Sequence, residues 1–251
     1  SGHVAEPFAS PHALSILRGA PIASLLSPIM QISLHHDHAW DVSPDEAQRI
    51  QEQLASEVTE APLPEDVGTV AGVDVSIRDD TAQAAVAVLQ LPDLKIVDRA
   101  IHRCEVPFPY VPGLLSFRET PPVLPALEQL SVTPDVLMTD SHGLAHPRRF
   151  GFACHLGVLL DHPTLGVAKS ILVGEAQGTL DPEKGHHVPL VDDGETIGTV
   201  LRTRTDVNPV YVSVGHRSTL DDAVALTLDC SPRYKIPEPT RQAHKLSRAT
   251  N

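Results

Sequence analysis

From residue 43 onward the chain moves between two hydrophobic rhythms. Ala47, Ile50, Leu54 and Val58 recur at spacings of three and four, which predicts an amphipathic helix running to about Val58. Its start is marked by Ser43-Pro44-Asp45-Glu46, where Ser43 can cap, Pro44 suits the first helical position and Glu46 completes a capping box. Three apolar runs follow, at 67–77, 82–91 and 94–106, and their short connections predict an antiparallel meander. Residues 107–113 form a proline-rich loop. Helical spacing then returns over 114–130, where Pro121-Pro122 predicts a kink or a restart. A buried strand at 135–140, a helix near 150–160 and a strand at 164–168 come next. Beyond them, 188–190, 196–202 and 209–213 read as strands, 178–185 as a loop, and 220–230 and 239–249 as helices. Neither a repeat nor a linker divides residues 41–251, so they are expected to form one domain behind a partly flexible extension, 1–40.

Three meandering strands that continue into strand–helix–strand make a ribonuclease H-like arrangement. This is an α/β, three-layer fold with a central mixed β-sheet flanked by helices. In that arrangement acids sit on the first strand, on the helix after the meander and on the fourth strand, and here those elements carry Asp74, Glu119 and Asp140. Asp74 is the one charge inside AGVDVS, and a buried ionised carboxylate is costly unless it is paired or holds a metal. Taken alone, a salt bridge to Lys169 or Arg118 would explain it equally well. Asp140 repeats the anomaly at the end of a second strand, beside the turn Ser141-His142-Gly143 and ahead of Arg148 and Arg149. Two carboxylates brought so close need a cation between them, and oxygen ligands favour Mg²⁺, with Mn²⁺ as a substitute. Glu119 has a helix-dipole explanation as well, and only its place after the meander adds it to the set. Lys169, directly after the fifth strand, is the natural electrophile or water-orienting group. His244, and more weakly His216, could supply a further ligand or a proton.

Composition changes this picture little. The chain is 41% hydrophobic and 4% aromatic, so its core must rest on aliphatic residues. Cys104, Cys154 and Cys230 are odd in number and form no CxxC, which argues against a disulfide scaffold or a zinc site and fits the cytoplasm. The net charge of −13 disfavours nucleic acid as a partner, but the last 51 residues hold eight Lys/Arg against five Asp/Glu. Phosphate binding needs only a local basic surface. The apolar stretch 14–34 is broken by Arg18, Pro21 and Pro28 and is not expected to cross a membrane. Met30 is a candidate natural start. The cluster HHDHAW at 35–40 reads as a mobile polar segment rather than a metal site, because no spaced ligands accompany it.

The segments AGVDVS, PYVPGLLSFRE, TDSHGLAHPRRFG, HLGVLLDHPTLGVAKS, SVGHR and IPEPTRQAH, in this order over about 43–251, resemble the endonuclease V family of metal-dependent nucleases that act on deaminated purines. The resemblance implies a metal and catalytic centre of Asp74, Glu119 and Asp140, with Lys169 by the scissile phosphate and His244 where the family has His or Asp. It implies a wedge of Pro109, Tyr110, Val111 and Pro112, whose aromatic ring would fill the gap left by a rotated-out nucleotide. It also implies a hypoxanthine pocket at Gly113, Leu115, Ser141 and Gly166. Phosphate contacts would come from the mostly basic C-terminal part and from Arg148, Arg149 and His216. The implied reaction nicks DNA at the second phosphodiester 3′ to deoxyinosine, leaving 3′-hydroxyl and 5′-phosphate ends. Separately, the protein is expected to be a cytoplasmic monomer with no membrane partner. Cleavage of inosine-containing RNA, or lesion binding without cleavage, are the alternatives. One position departs from the family: Ser141 stands where Gly is usual. Retained nuclease activity with altered base preference is the expectation there.

Overall fold

The computed structural model describes residues 33–249; Met30 and most of the 14–34 stretch lie outside them. The sheet starts from a meander of β1 (Thr69–Arg78), β2 (Thr81–Gln90) and β3 (Lys95–Glu105). Only Asp79 and Asp80 separate β1 from β2, and both take positive φ (47° and 60°). That is the backbone of a tight hairpin turn whose twist matches the strands, and Asp tolerates it better than most residues. β2 is buried along its whole interior because it is covered on both faces.

α2 (Leu115–Glu128) leads into β4 (Val136–Thr139), and α3 (Phe152–Leu160) into β5 (Thr164–Ala168). The chain then adds β6 (Glu175–Ala176), β7 (His187–Asp192), β8 (Glu195–Leu201) and β9 (Val210–His216). It ends in α4 (Leu220–Asp229) and α5 (Glu238–Ser247). The nine strands form one mixed sheet in the order β3-β2-β1-β4-β5-β9-β8-β7-β6. Helices α2 and α3 pack on one face, over Ala71, Val73, Val86 and Leu137. Helix α4 covers Val70, Met138, Leu165 and Val212 on the other face, and α5 lies over Ala87 and Leu89. This is the ribonuclease H-like three-layer arrangement.

Register decides what meets at the sheet's centre. β1 and β4 run parallel with Val73 opposite Thr139, so Asp74 and Asp140 are the next residues on adjacent strands. β4 and β5 are also parallel, with Thr139 opposite Gly166, which brings Lys169 to the same end. Gly72 lets α5 reach this place. A Cβ there would sit 2.0 Å from the carbonyl of Pro239, so any side chain would lift the helix off β1.

Several expectations need correction. The first helix, α1 (Pro44–Leu54), stops short of Val58 and ends in a 3₁₀ turn. Ser43 caps it, but Glu46 pairs with Arg49 instead of closing a capping box. α2 runs unbroken through Pro121, Pro122 and Pro125. Its buried face, with Phe117, Val123, Ala126 and Leu127, is fixed against the sheet and outweighs the missing amide donors. Residues 35–40, expected as a mobile polar segment, make specific contacts with the domain. His35 N–H donates to the Leu159 carbonyl (2.7 Å), and the Trp40 ring stacks 5.4 Å from His155 and lies 5.6 Å from Phe117. The short β6 has no signal in the sequence.

Candidate active site and metal centre

Asp74 in β1, Asp140 just past β4 and His244 in α5 offer ligand atoms that all lie within 4.8 Å of one another. His244 Nδ1 is 3.3 Å from an Asp74 carboxylate oxygen, and the Ser247 hydroxyl, one turn on, donates to the same carboxylate. Lys169 donates to Asp140 Oδ2. Glu119 stands just outside this tight cluster but within its field. Burial, then the charges of Asp74 and Asp140, push its carboxyl up to about 8, against a smaller opposing effect of Arg118. Burial also holds the Asp140 carboxyl above its usual range, offset in part by Lys169. The donor set of two carboxylates and one imidazole, with a third carboxylate nearby, suits a hard divalent cation; oxygen predominates, and the nitrogen is tolerated by Mn²⁺.

Against this centre lies a pocket of about 350 Å³, and Asp140 and Lys169 belong to its wall. The rest of the wall includes Gly113, Leu115, Ser141, His142 and Phe152. Tyr110, Val111 and Pro112 form the rim, and Tyr110 is 70% exposed although it is an aromatic ring. Pro109 faces a separate cleft beside Arg118, whose guanidinium lies 5.8 Å from the Tyr110 ring centre. The Ser141 hydroxyl pairs with Thr139 Oγ1 at 2.9 Å, so it is turned toward β4.

Four expected site residues are placed elsewhere. Gly166 lies beneath the 141–143 turn: a Cβ there would meet the Ser141 carbonyl oxygen at 2.5 Å, so the glycine admits the turn and does not line the pocket. Arg149 bridges Asp192 (2.9 Å) and Glu195 (2.8 Å) at the β7–β8 hairpin. Arg148 turns inward, donating to the Gly113 carbonyl and to Gln51 (both 2.7 Å). His216 sits opposite Thr164, at the far end of β5 from Lys169. It is buried, with Nδ1 accepting from Thr59 N–H and Nε2 facing Asp161, both at 3.2 Å. Arg149 and His216 are thus engaged by acidic partners, and Arg148 has Nε and Nη2 committed to Gln51 and Gly113. Conversely, Gln51, His142 and His146 line the pocket although the sequence reading passed over them. Gln51 did carry a signal: it follows Ala47 by four residues, so a polar side chain occupies the buried stripe of α1.

The family described as Endonuclease V matches residues 52–245. An endonuclease V of Roseiflexus castenholzii is 52% identical over 211 residues, which are 84% of this chain and 95% of the relative. Among solved structures, the endonuclease V of Streptomyces avermitilis superposes with a TM-score of 0.80 at 45% identity, covering 84% of this chain and 93% of that one. A Ciona intestinalis endonuclease V, in complex with a 24mer DNA containing an inosine followed by a ribo-adenosine, gives 0.69 at 28% identity, covering 81% and 95%. The match spans the acidic centre, the exposed tyrosine and every pocket-lining residue except Gln51 in one continuous stretch, and on that basis this chain belongs to the endonuclease V family of nucleases, which are phosphodiester hydrolases.

Proposed function

We propose that the protein is a DNA-repair endonuclease that nicks DNA at the second phosphodiester 3′ to deoxyinosine, leaving 3′-hydroxyl and 5′-phosphate ends. The observation that carries this reading is the shared wall. Asp140 and Lys169 belong at once to the acidic cluster and to a pocket whose rim presents a bare aromatic ring. A base rotated out of the helix can be held there while its own strand passes the carboxylates, with Tyr110 taking the vacated place in the stack. Asp74, Asp140 and His244, with Glu119 adjoining, would hold Mg²⁺ or, in its place, Mn²⁺. Such a cation supplies phosphate polarisation, an acidified water and charge stabilisation on the leaving oxygen. Within that frame Lys169 moves from Asp140 toward the scissile phosphate as a point charge, and Ser247 fixes the Asp74 carboxylate. Water adds to phosphorus as the P–O3′ bond breaks, which leaves the phosphate on the 5′ end of the downstream fragment, and the leaving 3′ oxygen takes a proton from solvent water, since His244 as a ligand is neutral. The enzyme works as a monomer in the cytoplasm, which its free cysteines fit.

Cleavage of inosine-containing RNA is the second reading. It is favoured by the ligand of the Ciona relative, which carries a ribo-adenosine after the inosine. Matched DNA and RNA oligonucleotides, each with one inosine, incubated with either metal, separate the two readings. Faster nicking of DNA supports the proposal; exclusive cleavage of RNA replaces it. Lesion binding without any cleavage by either metal makes the protein a binding module.

A further inference from the structure

Gly113 is the elbow between the exposed PYVP rim and α2, and its φ of +77° lies in the left-handed region that glycine tolerates. Its carbonyl accepts from three side chains: Arg148 Nη2 at 2.7 Å, His146 Nε2 at 3.0 Å and Gln51 Nε2 at 3.1 Å. A carbonyl oxygen has two lone pairs, so three converging donors saturate it. The donors also hold one another. Gln51 Oε1 accepts from Arg148 Nε (2.7 Å), which fixes which end of the amide is nitrogen. His146 Nδ1 accepts from the Arg148 backbone N–H (3.2 Å), which leaves the proton on Nε2, facing Gly113. Burial and the neighbouring Arg148 lower His146 to about 4, so it stays neutral and keeps that tautomer.

Gln51 is fully buried, and its amide nitrogen is also within 3.3 Å of the Phe150 carbonyl and 3.4 Å of Ser116 Oγ. From Ser116 a line of hydrogen bonds runs outward. Ser116 Oγ meets His155 Nδ1 (2.8 Å), His155 Nε2 meets His38 Nε2 (2.7 Å), and His38 Nδ1 reaches the Ala39 carbonyl (2.9 Å). With a proton on Nδ1 of His38 and on Nε2 of His155, every bond in this line has one donor and one acceptor. Both rings are then neutral, and the serine hydroxyl points away from Gln51. Gln51 is therefore oriented from both sides, and both polar atoms of its amide are paired with protein groups.

We infer that Gln51 is a positioning residue: through the Gly113 carbonyl it sets the wedge of residues 109–112 against the pocket, so that pushing a base out and catching it occur in register. This rests on the functional reading above. A buried amide of this kind is costly unless fully paired, and here its pairing converges on the one peptide that joins wedge, pocket wall and the helix bearing Glu119. Misplacing the wedge matters only where there is a stack to open, so the consequence is specific to duplex substrate.

The test compares the unaltered protein with Gln51→Glu, which keeps the bond to Arg148 but removes the donor to Gly113, and with the apolar Gln51→Met. Single-turnover nicking is measured on duplex and single-stranded DNA carrying one deoxyinosine. The fluorescence of 2-aminopurine next to the inosine, read in EDTA, reports base extrusion without cutting. Both variants are expected to lose about tenfold on duplex and less than about twofold on single strand, with a weaker fluorescence rise. In a Tyr110→Ala background the substitution at 51 should have no further effect on duplex. Equal losses on both substrates, additive effects with Tyr110→Ala, or no loss at all overturn the inference. If Gln51→Glu does not fold, Gln51→Met decides by the same criteria. Inactivity of the unaltered protein on both substrates overturns the functional reading and this inference with it; an active parent with unchanged variants overturns this inference alone.

Discussion

At the acidic centre, Asp74, Glu119 and Asp140 crowd like charges into one end of the sheet, with Lys169 and His244 too few to balance them in the absence of metal. Beside it, Gln51 and His146 of the pocket wall and the inward-turned Arg148 are paired with one another and with backbone carbonyls. The first region is electrostatically incomplete and depends on a cation; the second is complete as it stands. They share Asp140 and Lys169, and on the proposed function the first would carry the reaction and the second the recognition. Changes at the first should abolish cutting and spare binding, whereas changes at the second should alter which substrates are taken.

The sharpest separation comes from Asp140→Ala. Nicking should fall by about a thousandfold or more, because a ligand and a fixed charge are both lost. Affinity for inosine duplex in EDTA should change by less than about threefold, since the pocket keeps its other walls. A parallel collapse of binding and cutting would merge the two regions into one. A second effect concerns pH. The Glu119 carboxyl, raised from 4.5 to about 8 in the folded protein, binds a proton more tightly folded than unfolded. That contribution to stability is whole below the unfolded value and is lost as the pH rises through about 8. A cation competes with the proton, so the thermal midpoint gained on adding Mg²⁺ should grow between pH 5 and 8. A gain that does not vary with pH would remove Glu119 from the centre.

The histidine line behind the pocket has the opposite sign. Burial lowers His38 and His155, so the unfolded chain takes protons that the folded one refuses. Their contribution is whole above the ordinary value of 6.5 and is lost as the pH falls below it. The thermal midpoint of metal-free protein should therefore drop more steeply below pH 6.5 in the parent than in a His38→Phe variant. Equal slopes would show that the line does not limit stability. The smallest effect belongs to Ser141→Gly. Because its hydroxyl is held by Thr139, replacing it should leave inosine nicking within about twofold and move only the ranking of xanthosine and uracil substrates. Identical rankings would remove Ser141 from base selection.

The contrast between the two regions also explains what the sequence reveals. Asp74, Asp140 and Lys169 are legible because each interrupts or ends an apolar run, and strand register makes such anomalies converge. The meander and the 164–168 strand are legible for the same local reason. The pocket is assembled from residues as far apart as Gln51 and Leu172, and the pairing of Gln51 with Arg148 leaves no local pattern. Arg149 and His216 looked available because their acidic partners, Asp192, Glu195 and Asp161, lie far along the chain. The segment 35–40 looked idle because Trp40 and His38 meet Phe117 and His155 only after folding. His244 was recognisable as a candidate ligand, but its approach to Asp74 depends on Gly72 admitting α5, which no spacing rule encodes.

The most direct measurement maps the cut. A duplex with one deoxyinosine, labelled at either end, is incubated with protein and Mg²⁺ beside a control duplex with deoxyadenosine. The expected result is a single nick at the second phosphodiester 3′ to the inosine, with 3′-hydroxyl and 5′-phosphate ends, absent in EDTA and absent from the control. Nicking of both duplexes alike, or of neither with Mg²⁺ or Mn²⁺, would contradict a centre and a pocket that act together.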